Sequence, residues 1–200
     1  MQTEKELEDR IFLAGIAGDE ESRLLAFLEE IKAYHKQTYS HCVRVGVKAY
    51  DASAYAECNP RNMLIAGLLH DLGKLAIEIN LLDKKTGFNE EDYSIMQAHP
   101  FEGYMLAKND FPFAAEVILR HHMFEKIPYP ASFPKMKKGI SKRNVEKHAR
   151  LLSIIDFYDA MCTRHDNFPY DCGGRKQRLL EGRKGMEVTI NSLYAAGILS

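Results

Sequence analysis

An uncharged run of seven residues, Met63 to Leu69, leads directly into His70 and Asp71. Seven apolar or small residues in a row predict a helix that is buried on all sides, so the fold must surround it. The carboxylate that follows then needs a partner, because burying an unpaired charge costs several kcal/mol or more. We therefore expect Asp71 to be paired, protonated or bound to a metal ion.

Most of the remaining chain has apolar residues at helical spacing, with capping residues and prolines at the boundaries. Residues 80–88 and 127–141 are expected to be loops, and no segment alternates long enough to predict a strand. The expected fold is all-α, a compact single-domain helical bundle. The predicted helices are one containing Leu24–Ile31, one from Pro60 through Leu69, one from Asn89 to just before Pro100, one from Pro112 through His121, one from about Asn144 to Cys162, and further helices after Gly173-Gly174.

Composition limits the partners and the compartment. With 27 basic and 28 acidic residues, the net charge of −1 gives no overall attraction to nucleic acid or to an anionic membrane. The polar, acidic N-terminus argues against a signal peptide, and no apolar run approaches the roughly 18 residues of a membrane span. We expect a cytoplasmic protein without membrane or stable nucleic-acid binding. The four cysteines form no CxxC pair and resemble free thiols of a reducing compartment: Cys42, Cys58, Cys162 and Cys172.

Further histidines and an aspartate offer ligands to a metal near Asp71. Taken singly, each has an ordinary explanation: His41 as a surface residue, Asp71 as a helix cap, His121 and His122 as neighbours about 100° apart on a helix. Asp156 is harder to explain, because it lies in an apolar helical stripe. A thiolate-free set of imidazoles and carboxylates favours iron or manganese, with zinc as an alternative. The candidate ligands are His41, His70, Asp71, His99, His121, His122 and Asp156.

Five blocks of this sequence, in order, resemble a known family. The block from His70 to Lys74 is similar to the signature of the HD superfamily of metal-dependent phosphohydrolases. The block from His41 resembles the first histidine helix of that superfamily. The later blocks resemble its HD-GYP branch, which hydrolyses cyclic di-GMP, and the resemblance covers roughly residues 38–166. The blocks are His41–Val45, His70–Lys74, Leu81–Phe88 with His99–Gly103, Ile118–His122, and Ile155–Met161.

The resemblance implies a binuclear site, with Asp71 as the bridging and catalytic carboxylate. One metal would be bound by His41, His70, Asp71 and Asp156, and the other by Asp71, His99, His121 and His122. Lys74 and Arg164 would contact a substrate phosphate, and Lys74 would also be catalytic. The domain would span residues 36–166, with an N-terminal helical extension (1–35) and C-terminal helices (167–200) packed on it.

Two departures from the branch bear on the reaction. Gln37 stands where some members place a glutamate for a third metal, so two divalent ions are expected. The loop that names the branch keeps only Tyr129-Pro130. The substrate is accordingly a phosphorylated small molecule, a nucleotide or a cyclic dinucleotide, cleaved at a phosphoester. The alternatives are a nucleotide phosphomonoesterase, a non-catalytic HD-type binding module and a di-iron oxygenase; homo-oligomerisation and a role for the basic segment from Lys135 to Arg143 stay open.

Overall fold

The computed structural model describes residues 2–163 and 172–200, and this part of the chain contains no β-strand. The prediction of an all-α fold is confirmed. Arg164, one of the two predicted phosphate contacts, lies outside the described residues. The α-helices are α1 Gln2–Leu13, α2 Asp19–Tyr34, α3 Lys36–Ala52, α4 Pro60–Leu69, α5 Ile79–Leu82, α6 Glu90–Met96, α7 His99–Ala107, α8 Pro112–Ile118, α9 Lys142–Thr163, α10 Cys172–Gly182 and α11 Glu187–Ala195.

Helix α4 is the central element of the bundle. Every residue from Met63 to Leu69 is buried, as the apolar run predicts. Asn59 caps the helix, because its side chain accepts a hydrogen bond from the Asn62 N–H at 2.9 Å, and Pro60 starts the first turn. The helix ends at Leu69, and His70 and Asp71 follow it directly, so they lie at the edge of this buried core.

Two glycines allow α3 and α4 to pack closely. A Cβ added to Gly67 would lie 2.7 Å from the Gly46 Cα, and one added to Gly46 would lie 2.6 Å from the Leu68 side chain. Neither position has room for a larger residue. This close approach brings His41, near the start of α3, beside His70 at the end of α4.

The terminal helices join the same apolar core. Leu7 of α1 and Leu28 of α2 are buried with the residues of α4, as are Leu179 of α10 and Leu193 of α11. On the surface, the Arg10 guanidinium pairs with both carboxylate oxygens of Asp51 at 2.7 and 3.0 Å, which joins α1 to α3. No helix within the described residues has the length and apolar character needed to cross a bilayer.

Several predicted boundaries are wrong. A short helix, α5, occupies the start of the expected loop at residues 80–88. Helix α10 begins at Cys172, so Gly173-Gly174 lies inside it rather than before it. Helix α8 ends at Ile118 and does not reach His121, because the N–H groups of Arg120 and His121 bond three residues back, to Val117 and Ile118. The tighter turns that follow carry His121 and His122 off the helix axis.

Candidate metal centre

Seven side chains from five parts of the chain converge at one end of α4. His41 comes from α3, Asp156 from α9 and His99 from the first position of α7. His70 and Asp71 follow α4, while His121 and His122 lie in the turns after α8. All seven predicted ligands therefore meet, although their role as ligands remains a prediction.

The donor atoms fall into two groups. In the first, here called the His41 cluster (His41, His70, Asp71 and Asp156), the His41 Nε2 lies 3.1 Å from the His70 Nε2 and 3.0 Å from the Asp156 Oδ1. The second, the His99 cluster, comprises His99, His121 and His122, and offers one nitrogen from each within 4.8 Å of the others. Two ligands bound about 2.1 Å from one ion at tetrahedral or octahedral angles lie about 3.0–3.4 Å apart, so this spacing suits a metal.

Asp71 lies between the two clusters. Its Oδ2 is 3.5 Å from the His70 Nε2 and 3.7 Å from the His41 Nε2. Its Oδ1 is 3.4 Å from the His99 Nε2. One carboxylate oxygen thus faces each cluster, which is the arrangement that a bridging ligand requires.

Each histidine is held through its Nδ1 atom. The Nδ1–H groups of His70, His99 and His121 donate to the backbone carbonyl three residues earlier, at 2.8, 2.7 and 2.6 Å. The Nδ1–H groups of His41 and His122 donate to carboxylates, those of Asp159 and Glu125, both at 2.7 Å. Because every Nδ1 faces an acceptor, the proton of each neutral ring belongs there and the Nε2 lone pair points into the site.

When every ring is in the neutral form that binds metals, the site presents acceptors to acceptors. The Nε2 atoms of His99 and His121 face each other at 3.5 Å, as those of His41 and His70 do at 3.1 Å. Among the described residues, a cation does approach Asp71: the Lys74 ammonium lies 2.6 Å from its Oδ2. Facing lone pairs and carboxylates repel one another unless a cation lies between them, so this donor set fits divalent metal ions.

Burial and charge set the protonation states. Burial lowers the pKa of His99 to about 4 and that of His121 to about 3, and it also holds the pKa of His122 well below its usual range. All three are neutral at pH 7, the form that binds metals. Burial also opposes charge on His70 and Asp71, but the Asp71 carboxylate raises the pKa of His70 well above its usual range, and Lys74 and His70 hold the pKa of Asp71 well below its own.

Part of the site keeps contact with solvent. The side chains of His41, His122, Asp156 and Lys74 are between 11% and 14% exposed, whereas that of His70 is fully buried. The centre is therefore buried on the α4 side, and the side formed by these four residues, here called the open side, contacts solvent. The Tyr129 ring stacks on His122, with centroids 4.4 Å apart, and so lines the open side.

Sequence reasoning gave no role to several residues around the ligands. Arg44 donates two hydrogen bonds of 2.8 Å to Asp159, the carboxylate that holds His41. Spacing could have suggested this, since Arg44 is three residues from His41, and Asp159 three from Asp156, on the same helix faces. Of the other residues, Gln37 is exposed, and His148 is a packing residue whose Nε2 accepts the Asn59 N–H.

Comparison with known proteins agrees with the resemblance seen in the sequence. Residues 38–161 match the model of the HD domain. Relatives include the cyclic di-GMP phosphodiesterase response regulator RpfG of Xanthomonas campestris, 27% identical over 70% of this chain and 42% of its own length. A cyclic di-GMP phosphodiesterase of Thermotoga maritima is 25% identical over 88% of this chain and 47% of its own. The chain spans less than half the length of these relatives.

Proposed function

The chain belongs to the HD domain family, and on that premise we propose that it is a metal-dependent phosphohydrolase that cleaves a phosphodiester bond of a nucleotide. The proposal includes two divalent ions, iron or manganese before zinc, one at the His41 cluster and one at the His99 cluster. The observation that carries it is Asp71, whose two oxygens face the two clusters at 3.4–3.7 Å.

Two ions in such a site would supply Lewis-acid charge to a phosphate and lower the pKa of a water molecule toward neutrality. The protein's own part is to keep five imidazoles neutral or paired and aimed inward. The Nδ1 hydrogen bonds direct the rings inward, since they fix the tautomer and the orientation of each histidine. The buried side excludes water from the ligands, and the open side admits the substrate.

Lys74 is proposed to hold a phosphate oxygen of the substrate. Its ammonium lies 2.6 Å from the Asp71 Oδ2 and is 14% exposed, so it is at the open side and beside the bridging carboxylate. Ions bound to Asp71 would compete with this pair and leave the ammonium available to a phosphate. Lys74 would then bind the substrate next to the reacting phosphorus.

The substrate is proposed to be a cyclic dinucleotide, which both named relatives are said to hydrolyse. Tyr129, from the remnant of the loop that names the branch, stacks on His122 and is thereby placed at the entrance. An aromatic ring at this position suits a ligand that carries bases. A nucleotide phosphomonoesterase and a binding module are the outcomes that the experiment below must separate.

The test measures metal content and turnover in the same preparations. Protein purified without oxygen is expected to contain two ions per chain and to hydrolyse cyclic di-GMP and bis-nitrophenyl phosphate faster than mono-nitrophenyl phosphate. Asp71→Asn is expected to lose both metal and turnover. Asp51→Asn removes a carboxylate that pairs with Arg10 on the surface and should keep both.

The contrary outcomes are distinct. Faster turnover of the monoester would point to a phosphomonoesterase. Two bound ions without turnover of any nucleotide would move the assignment to a binding module. Full activity of Asp71→Asn would refute the proposed centre.

A further inference from the structure

Arg183 is a buried arginine that lies outside the segment matching the HD domain. It directly follows α10, and only 4% of its surface is exposed. Its Nε donates to the Ser153 carbonyl at 3.3 Å, and its Nη1 to the Gly182 carbonyl at 3.1 Å. The guanidinium carbon lies 4.5 Å from the centre of the Phe157 ring. These contacts fix the plane of the guanidinium.

The remaining nitrogen of this fork is directed at the metal centre. The Arg183 Nη2 lies 3.4 Å from the Glu125 Oε1, the same oxygen that accepts the His122 Nδ1–H at 2.7 Å. Arg183, from the C-terminal part of the chain, thus contacts the Glu125 carboxylate that accepts the His122 Nδ1–H. Burying a charged arginine costs free energy, so the contact between Arg183 and Glu125 needs an explanation.

The His41 cluster contains the same arrangement of a histidine, a carboxylate and an arginine. There the Nδ1–H of His41 donates to Asp159, and Arg44 holds Asp159 with two bonds of 2.8 Å. Each cluster therefore has one histidine–carboxylate–arginine triplet. The triplets are His41–Asp159–Arg44 and His122–Glu125–Arg183.

The triplets occur where local structure does not hold the ring. His70, His99 and His121 are each tied to a backbone carbonyl, which cannot rotate away. His122 depends on a glutamate side chain with three rotatable bonds, 31% of which is exposed. A carboxylate of this kind orients a histidine only if something else orients the carboxylate, and a planar guanidinium does so.

We propose that Arg183 is a positioning residue of the metal centre: it holds Glu125 in the orientation that keeps the His122 proton on Nδ1 and the His122 Nε2 directed into the His99 cluster. This inference rests on the proposed function, because the orientation of His122 matters to the reaction only if His122 binds a metal. The C-terminal helices would then be part of the site and not only of the core.

The direct test is the tautomer of His122 in metal-free protein, read from long-range proton–nitrogen NMR spectra and assigned with His122→Asn. Wild type is expected to show the Nδ1–H form. Arg183→Met, which keeps an unbranched apolar stem and removes the guanidinium, should give a mixture with the Nε2–H form. Lys184→Met removes the neighbouring, exposed charge and should leave the tautomer unchanged. An unchanged tautomer in Arg183→Met overturns the proposal.

Metal titration gives the second readout. By calorimetry with Mn²⁺, Arg183→Met should bind one ion about 10–100-fold more weakly than wild type and the other with unchanged affinity. Adding Arg183→Met to Glu125→Ala should cause no further loss, because both act through the same carboxylate; a further loss contradicts the proposal.

If Arg183→Met does not fold, Glu125→Ala carries the test, and a wild-type His122 tautomer in that variant overturns the inference. A different result would refute the proposed function: wild-type protein that binds two ions and hydrolyses no nucleotide.

Discussion

Gly73, two residues after Asp71, the proposed bridging carboxylate, is the position where the smallest change should cause the largest loss. A Cβ at Gly73 would lie 2.0 Å from the His99 carbonyl oxygen and 2.5 Å from the Gly103 nitrogen. An ordinary contact between carbon and oxygen is at least about 3.3 Å, so Gly73→Ala must separate these backbones by about 1.3 Å. Both contacts are with backbone atoms of α7, which have no rotamer to change.

The displacement should reach the site through His99, the first residue of α7. Misplacing a reacting group by 1 Å can cost about 100-fold in rate, so we expect a loss of roughly that size in kcat/KM. Overpacking should also lower the free energy of unfolding by about 1–3 kcal/mol. Phosphodiester turnover at saturating Mn²⁺ and urea unfolding of the metal-free protein measure the two effects.

Gly103→Ala is the matched control, because it adds a methyl group to the same interface from the other side. Its nearest neighbours, the Gly73 nitrogen and the Ile118 Cγ2, would both lie 3.2 Å away, so a shift of a few tenths of an ångström suffices. The loss in both assays should be clearly smaller than for Gly73→Ala. Wild-type turnover and stability in Gly73→Ala would refute the reasoning.

Three further predictions concern the charges of the centre. Lys74→Met should lower kcat/KM for phosphodiesters about 100-fold with two ions still bound, and a loss confined to metal content would contradict a role in substrate binding. In metal-free protein, Asp159→Asn should lower the free energy of unfolding by about 1.5–3 kcal/mol at pH 7. Burial alone would raise the pKa of Asp159, but hydrogen bonds from His41 and Arg44 hold that pKa below its usual value. The resulting stabilisation is present above the unfolded pKa of about 3.9 and is lost as the pH falls through the folded pKa. The urea unfolding curves of variant and wild type should therefore converge below about pH 4. Mn²⁺ at 100 times its Kd should raise the free energy of unfolding by about 2.7 kcal/mol for each ion bound, and an unchanged thermal midpoint would argue against a site in the folded state.

The helical bundle could be predicted because its signals are local. The apolar run of α4 and the Asn59-Pro60 cap each act within a few residues, and both appear as expected. The end of α8 could not be predicted in the same way. Its last carbonyls are taken by a tighter turn and by the His121 ring, whose Nδ1–H bonds to the Ile118 oxygen at 2.6 Å. Apolar periodicity alone does not reveal that competition.

The site could be predicted only as a set of residues. Its ligand types and their order along the chain are visible in the sequence, and the structure brings these side chains together. Part of what supports them could not be predicted: Glu125 contacts Arg183 across 58 positions, in a region with no recognised motif. Contacts at that separation depend on how helices pack, which a pattern with a period of 3.6 residues does not specify.

The contact between His41 and Asp156 also has a consequence for the order of folding. The two residues are 115 positions apart, yet their side chains meet at 3.0 Å. Joining such distant segments carries a loop-closure entropy cost, whereas the buried turns of α4 and its neighbours form from nearer contacts. A growing chain would therefore hold His41, His70 and His99 before α9 is made, and complete its metal-binding cavity only when that helix docks. Metal binding at the His41 cluster should accordingly report the last stage of folding, and the slowest phase of Mn²⁺ binding during refolding would follow that stage.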